Sequence, residues 1–420
     1  MRFVKYFSVF VGLCLVLTSG ISGQNHSKKY VLTDQAAEKL VAKVLKTSPI
    51  IDGHNDLFIH YFDCKQCPID LMDYRIDVAA KGHTDIPRWR KGGVGGQLLN
   101  IFGSEQTPES QLAAYDLLRR MELAYPNDLR VVGTSREMGA ALRDGKIAIL
   151  PTLESAVRLK NSMALLRSYY DLGLRSVTFA YRTNDLADGS EDTPRHNGVS
   201  PFGKEMIKEM NRLGIMIDAS HVSVAAMNGI LDASQAPIIF SHSNARALCD
   251  VNRNVPDQVL RKLKINRGIV MLTFVPYFVS NDMSKWMDDS EAYFEVLNKK
   301  YSGDMSKATG EMDAWEKTNP QPIVTVSAMA DQFDYVKDLI GVEHIGIAGD
   351  YDGIPFTIKG LEDVSTYPNL LIELAKRGWT EKDLRKITGE NLLRVFEEVE
   401  TKAAALRKTM QPSMVKFIKK

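Results

Sequence analysis

Six residues with metal-binding side chains stand at or just after the ends of short apolar runs in this chain. They include three of its eight histidines. Histidine nitrogens and carboxylate oxygens are the ligands that zinc and similar divalent ions take in hydrolytic sites. Each residue alone is more simply explained as a loop or helix-capping residue, but the six together predict a metal centre. They are His54, Asp56, Glu154, His221, His242 and Asp350.

The apolar runs that precede these residues predict the fold. Eight runs recur, at 49–54, 94–100, 148–154, 176–181, 216–221, 237–242, 269–274 and 344–350. Continuous apolar strands that alternate with helical stretches indicate a parallel sheet buried on both faces. Eight such units predict an α/β fold, a (β/α)8 TIM-type barrel, whose strands all open on one face. We expect the metal centre on that face.

The helical stretches have recognisable starts. Residues 33–45 repeat apolar positions at helical spacing behind Thr33, a candidate cap. Ser200-Pro201 begins a second helix, and Thr380-Glu-Lys-Asp383 resembles a capping box. The polar stretch 282–321 is expected to cross the barrel mouth as a partly helical excursion. We assign residues 31–400 to the barrel and 401–420 to a basic, loosely packed tail.

Residues 1–23 predict a signal peptide. Arg2 and Lys5 precede an apolar stretch at 7–17 that is too short to span a bilayer comfortably, and small residues follow it. An uncleaved anchor is the alternative. We expect an exported protein, periplasmic or secreted, without a stable membrane anchor.

The net charge and the cysteines indicate which partners and which cysteine roles are expected. The net charge is +1, from 53 basic and 52 acidic residues, which argues against nucleic acid as a partner. Cys14 lies in the signal peptide. Cys64 and Cys67 favour a local disulfide in an exported protein, although a redox pair or half of a metal site remain alternatives. Cys249 is expected to be a small buried residue.

Longer motifs resemble the membrane dipeptidase (renal dipeptidase) family of amidohydrolase-type barrels, from about Ile50 to Val399. They include Ile51-Asp-Gly-His-Asn-Asp-Leu57, Phe240-Ser-His-Ser243, Arg253-Asn-Val-Pro-Asp257 and Gly349-Asp-Tyr-Asp-Gly353.

The resemblance implies hydrolysis of the amide bond of unblocked dipeptides by a hydroxide held between two zinc ions. By the same resemblance Glu154 bridges the ions, His54 and Asp56 hold one, and His221 and His242 hold the other. Asp350 is then the general acid and base. Arg253 pairs with the terminal carboxylate of the dipeptide substrate. A homodimer is compatible with the resemblance, but no sequence feature demands one.

The chain departs from the family pattern beside the predicted centre. Tyr181 stands where well-studied relatives have a histidine, and it is either a hydrogen-bond donor to the substrate oxyanion or rim packing. Ser155-Ala-Val157 replaces Gly-Gly-His after Glu154. These departures keep open a related amidohydrolase activity on N-acyl amino acids, lactones or β-lactams. A non-catalytic binding protein is disfavoured, because all six metal-site and acid/base residues are present.

Overall fold

The computed structural model describes residues 31–62, 82–103, 105–302 and 305–418. The predicted signal peptide at 1–23 and the pair Cys64 and Cys67 lie outside these residues. Cys249 lies inside them and is a buried free thiol, as expected.

The described residues contain nine strands, and all of their pairings are parallel. In chain order they are β1 (Ile50–Asn55), β2 (Val94–Asn100), β3 (Leu129–Val131), β4 (Ile147–Glu154), β5 (Ser176–Thr178), β6 (Met216–Asp218), β7 (Ile239–Phe240), β8 (Ile269–Thr273) and β9 (Ile345–Ala348). Eight of them close into a ring in the order β1, β2, β4, β5, β6, β7, β8, β9, and β9 pairs back onto β1. The predicted (β/α)8 barrel is therefore confirmed.

Helices surround the barrel and connect its strands. In chain order they are α1 (Asp34–Thr47), α2 (Ile59–Phe62), α3 (Ile86–Gly92), α4 (Pro108–Ala124), α5 (Ser135–Arg143), α6 (Met163–Leu172), α7 (Pro201–Leu213), α8 (Val224–Ala233), α9 (Asp257–Asn266), α10 (Asn281–Lys300), α11 (Met305–Thr318), α12 (Val326–Ile340), α13 (Tyr367–Lys376), α14 (Glu381–Arg385) and α15 (Asn391–Leu406).

The predicted helix starts are present. The Thr33 hydroxyl accepts a hydrogen bond from the Ala36 N–H at the start of α1, and Ser200 caps α7 in the same way. Thr380 and Asp383 form a capping box at α14. The first N–H groups of a helix have no hydrogen-bond partner within the helix, and capping side chains accept from them. The capping residues therefore allowed these helix starts to be predicted from the sequence.

The short strand β3 was not predicted. It pairs with the first half of β4, where the Val132 N–H donates to the Ile149 oxygen. On the same edge, β5 reaches only the second half of β4, and the Arg175 N–H donates to the Pro151 oxygen. β3 therefore covers the part of β4 that β5 leaves unpaired. Three residues are too few to show a strand pattern in sequence.

Several strands are shorter than the predicted runs. β6 ends at Asp218 and β7 at Phe240, so His221 and His242 lie in the loops that follow rather than at the last strand position. The polar stretch at 282–321 forms α10 and α11. Side chains of α10 line the cavity at the open end of the barrel, as expected for an excursion over the mouth.

The C-terminal segment stays close to the barrel. α15 continues through Leu406, past the boundary predicted at residue 400. Beyond it most residues are exposed, yet the Ser413 N–H donates to Glu209 of α7 at 3.1 Å, and the Phe417 ring packs on Phe202. Among the described residues, no helix is long and apolar enough to cross a membrane.

Candidate metal centre

The Glu154 carboxylate at the end of β4 lies at the centre of the predicted ligands. Its Oε1 atom is 2.8 Å from His221 Nε2, 3.5 Å from His242 Nε2 and 3.7 Å from His54 Nε2. His54 Nε2 is also 3.5 Å from Asp56 Oδ2 and 4.0 Å from Asp350 Oδ1. The six residues, which come from the ends of five different strands, thus form one cluster.

Unusual backbone conformations aim two of these side chains. His221 and Asp350 have φ angles of 68° and 57°, a left-handed region that few non-glycine residues occupy. Such conformations cost free energy and persist where the surrounding structure imposes them, often at functional sites. Gly353 serves the site differently, since a Cβ atom there would lie 2.1 Å from Asp56 Oδ2. Only glycine leaves room for that carboxylate.

Hydrogen bonds fix the tautomer of His242. The Ser241 hydroxyl donates its single proton to Asp218 Oδ2 at 2.6 Å, so it accepts from His242 Nδ1 at 2.7 Å. With the proton on Nδ1, His242 Nε2 presents a lone pair toward Glu154. Burial and the neighbouring His54 lower the pKa of His242 well below its usual value, which agrees with a neutral ring.

The cluster fits a bound cation. Among the described residues, the buried atoms His54 Nε2 and His242 Nε2 have no hydrogen-bond partner. Two histidine nitrogens and a carboxylate oxygen that face one another at these distances are stabilised by a proton or a metal ion between them. Two overlapping groups bring their possible ligand atoms within 4.8 Å of one another, namely His54 with Glu154 and His242, and His54 with Asp56 and Asp350.

Burial and neighbouring charges shift the pKa values of three residues in the cluster. Burial opposes a charge on His54, but the carboxylates of Asp56 and Glu154 outweigh it and raise the pKa of His54 well above its usual value. Burial of His221, together with the Arg253 cation, lowers the pKa of His221 to about 4. Burial, reinforced by Asp56 and Glu154, raises the pKa of Asp350 to about 7 against the opposing effect of His54 and Arg253.

Residues around the cluster hold its loops. Asp52, fully buried on β1, accepts hydrogen bonds from the Gly349 N–H at 2.9 Å and the Tyr367 hydroxyl at 2.6 Å. Asp352 accepts from the His83 N–H at 2.6 Å, and its Oδ1 lies 2.9 Å from His60 Nε2. These bonds attach both ends of the segment that carries Asp350.

The cluster opens into a cavity of about 730 Å³. Arg253, 3% exposed, lines its wall, and the Arg253 guanidinium lies 5.1 Å from the Phe278 ring. Arg253 Nη1 has no hydrogen-bond partner among the described residues. Tyr181, 45% exposed, lies beyond the end of β5 with its ring 4.4 Å from the His221 ring. Both residues predicted to meet substrate therefore face the space in front of Glu154.

Sequence reasoning missed the residues that orient the predicted ligands. Asp218 receives hydrogen bonds from Ser241 and Thr178, and Asn100 contacts both Asp56 and Glu154. A signal existed, since Asp52, Asn100 and Asp218 are polar residues within or at the end of the predicted apolar runs. Burial of such a residue without a hydrogen-bond partner costs free energy, so each of them is expected to form hydrogen bonds with its neighbours.

A closed (β/α)8 barrel with histidines and carboxylates at the carboxyl ends of its strands defines a metal-dependent hydrolase of the barrel type. The sequence model described as "Membrane dipeptidase (Peptidase family M19)" matches residues 38–410. The chain therefore belongs to the membrane dipeptidase family, a family of metal-dependent dipeptidases.

Curated relatives and solved structures agree with this family. Dipeptidase 3 of Rattus norvegicus is 35% identical over 379 residues, which cover 88% of this chain and 68% of that protein. Dipeptidase 3 of Mus musculus matches to the same extent. The fold is similar to that of the probable dipeptidase PvdM from Pseudomonas aeruginosa, with a TM-score of 0.74, 24% identity and coverage of 88% and 99% of the two chains.

A second solved structure of the same fold carries a dipeptide mimic. It is a metallo peptidase from Rhodobacter sphaeroides liganded with a phosphinate mimic of the dipeptide L-Ala-D-Ala. Its TM-score is 0.68 at 23% identity, over 84% of this chain and 99% of that one.

Proposed function

We propose that this protein is a dinuclear zinc dipeptidase that hydrolyses the amide bond of unblocked dipeptides. The observation that carries the proposal is the set of buried, partnerless histidine nitrogens around Glu154 Oε1, with a buried arginine in the adjoining cavity wall. The histidine nitrogens and the Glu154 carboxylate are suited to bind cations. The buried arginine is suited to bind an anionic group of the substrate.

The family resemblance divides the ligands into two sets that share Glu154, whereas the two close groups in the structure share His54. His54 and Asp56 would hold one ion, and His221 and His242 the other. Two bound zinc ions would lower the pKa of a water molecule between them and polarise the scissile carbonyl. The protein's part is to fix the ligands, and the hydrogen bond between Ser241 and His242 Nδ1 does so for one of them.

We assign proton transfer to Asp350. It is buried beside His54 and Asp56, and the Thr273 hydroxyl donates to its Oδ2 at 3.4 Å. A buried carboxyl group beside the reacting atoms can take up a proton and return it within one turnover. Asp350 accepts the proton of the attacking water and passes it to the leaving amine.

We assign substrate binding to Arg253 and Tyr181. The free Nη1 of Arg253 pairs with the terminal carboxylate of the dipeptide, because a buried guanidinium gains most from an anionic partner. The Tyr181 hydroxyl donates a hydrogen bond to the carbonyl oxygen as negative charge develops on it.

Export through the segment at 1–23 and action as a homodimer also belong to this proposal. They rest on the sequence expectations given above. We infer a small dipeptide as substrate and no nucleic acid as partner.

The test is hydrolysis of L-L and L-D dipeptides beside N-acyl amino acids and dipeptide amides, with metal content measured on the same sample. We expect turnover of dipeptides, about two zinc ions per chain and weak activity on amides, which lack the carboxylate for Arg253. Two metals with turnover of N-acyl amino acids alone would replace this function by a deacylase. Absence of bound metal would refute the proposed centre.

A further inference from the structure

A second cavity, of about 500 Å³, adjoins the centre, and Arg253 is not among the residues that line it. Asp56, Glu154 and Tyr181 line both cavities, whereas Arg253 and Asp350 line only the first. The two spaces therefore meet at the predicted metal ligands. A substrate bound across the centre has room on both sides.

The second cavity contains a half-buried arginine. One turn of 3-10 helix, Ala156–Leu159, follows β4 and places Arg158 four residues after Glu154. Its Nη1 atom donates to the Gly103 oxygen at 3.2 Å and to the Glu105 oxygen at 2.9 Å. Its guanidinium lies 5.6 Å from the centre of the Phe102 ring. These contacts hold the side chain against the cavity wall.

The Glu154 carboxylate lines the same cavity and acts on the Arg158 charge from a distance. Among the described residues, no carboxylate forms an ion pair with Arg158, and its Nε and Nη2 atoms have no hydrogen-bond partner. Arg182 lines the same cavity but differs, since it is exposed and lies 3.5 Å from Glu191 and 3.4 Å from Asp192. Arg158 thus offers the cavity two parallel donors on one edge, the arrangement that suits a carboxylate.

The proposed function orients the substrate relative to this arginine. If the terminal carboxylate is bound by Arg253 and the scissile carbonyl lies at Glu154, the side chain of the first residue points into the second cavity. We propose that Arg158 selects dipeptides whose first residue carries an acidic side chain. Ile59, Phe102 and Val157 supply apolar surface for the methylene groups of that side chain. This inference rests on the proposed dipeptidase function.

The test compares kcat/KM for Glu-Ala with that for its neutral isostere Gln-Ala. We expect the native enzyme to prefer Glu-Ala by about tenfold or more, as for a charge-assisted pair, and Arg158→Gln to reduce that ratio to about twofold or less. Arg158→Lys keeps the charge but loses the paired donors, so its ratio should fall between the two. The ratio of Ala-Glu to Ala-Gln tests the other end of the substrate and should not respond to Arg158.

Arg182→Gln is the matched control, because this arginine lines the same cavity but has acidic partners. Its Glu-Ala to Gln-Ala ratio should equal that of the native enzyme. Equal kcat/KM values for the two substrates on native enzyme, or loss of the preference in Arg182→Gln instead, would overturn the role of Arg158 alone. Failure to hydrolyse any dipeptide would overturn the proposed function and this inference with it. The comparison on native enzyme needs no variant to fold.

Discussion

Asn100 and Glu154 are joined by two hydrogen bonds in opposite directions. Asn100 Nδ2 donates to Glu154 Oε2 at 3.1 Å, and Asn100 Oδ1 accepts from the Glu154 backbone N–H at 3.0 Å. The same amide also donates to Asp56 Oδ1 at 2.8 Å. One side chain at the end of β2 therefore orients a carboxylate from each neighbouring strand, leaving Glu154 Oε1 and Asp56 Oδ2 directed at His54.

Substituting Asn100 by alanine should weaken zinc binding by about 10–100-fold, because both carboxylates lose the partner that orients them. The measurement is competition for zinc with a chromophoric chelator. Asn369→Ala, which removes an exposed amide on α13, is the control and should leave the affinity unchanged. An affinity within twofold of the native value in Asn100→Ala would show that the carboxylates need no such support.

Asp350→Asn should keep the zinc content and lose turnover by about 10²–10⁴-fold, because an amide of the same shape cannot carry the proton. The measurement is kcat together with metal analysis of the same preparation. Asp289→Asn, which alters an exposed carboxylate on α10, controls for general effects of the substitution. Turnover near the native rate would exclude Asp350 from proton transfer.

Tyr181→Phe should lower kcat about tenfold or more while changing KM little, because the hydroxyl acts only as charge develops on the carbonyl oxygen. Phenylalanine keeps the ring that packs 4.4 Å from the His221 ring, so the geometry of that ligand is preserved. Steady-state kinetics with one good dipeptide substrate is sufficient. If kcat stays within twofold, the ring is rim packing and another group stabilises the oxyanion.

Glu209→Gln should destabilise the fold at neutral pH but not in acid. Burial opposes the Glu209 charge, but hydrogen bonds from Arg212 and Arg167 outweigh it and lower the pKa of Glu209 below its usual value. A carboxylate with a depressed folded-state pKa stabilises the fold above its unfolded pKa, and this contribution is lost as the pH falls through the folded value.

We expect the metal-free variant to lose about 2 kcal/mol in the free energy of unfolding at pH 7, with the difference shrinking below about pH 4. Urea denaturation of both proteins at several pH values measures it. Glu205→Gln, beside an exposed lysine on the same helix, should change stability little. A difference that does not vary with pH would assign the effect to packing.

The sequence was informative about the barrel because parallel strands buried on both faces appear as continuous apolar runs. The polar side chains of His54, Glu154 and Asp350 interrupt that pattern near the end of each run, and the structure brings them into one cluster. The family resemblance then divided the ligands into two sets. A single sequence thus predicts where a residue lies along its own strand.

Contacts between residues of neighbouring strands could not be predicted from the sequence. The hydrogen bonds that join Asp218 to Ser241 and Asn100 to Glu154 depend on the register of neighbouring strands, which the apolar runs do not specify. The role of Arg158 depends on a cavity formed by segments far apart in sequence. Only the folded arrangement separates this arginine from the many that cover a protein surface.

The pairing of β1 with β9, which closes the barrel, affects when the site forms during folding. The hydrogen bond from the Gly349 N–H to Asp52 crosses 297 residues, so the ring stays open until almost the entire barrel sequence is available. Contacts of such long range make folding slow and leave strand edges exposed meanwhile. A nascent chain that lacks β9 holds His54 and Asp56 without Asp350. We therefore expect the complete catalytic set to assemble only at a late stage of folding, once β9 has joined β1.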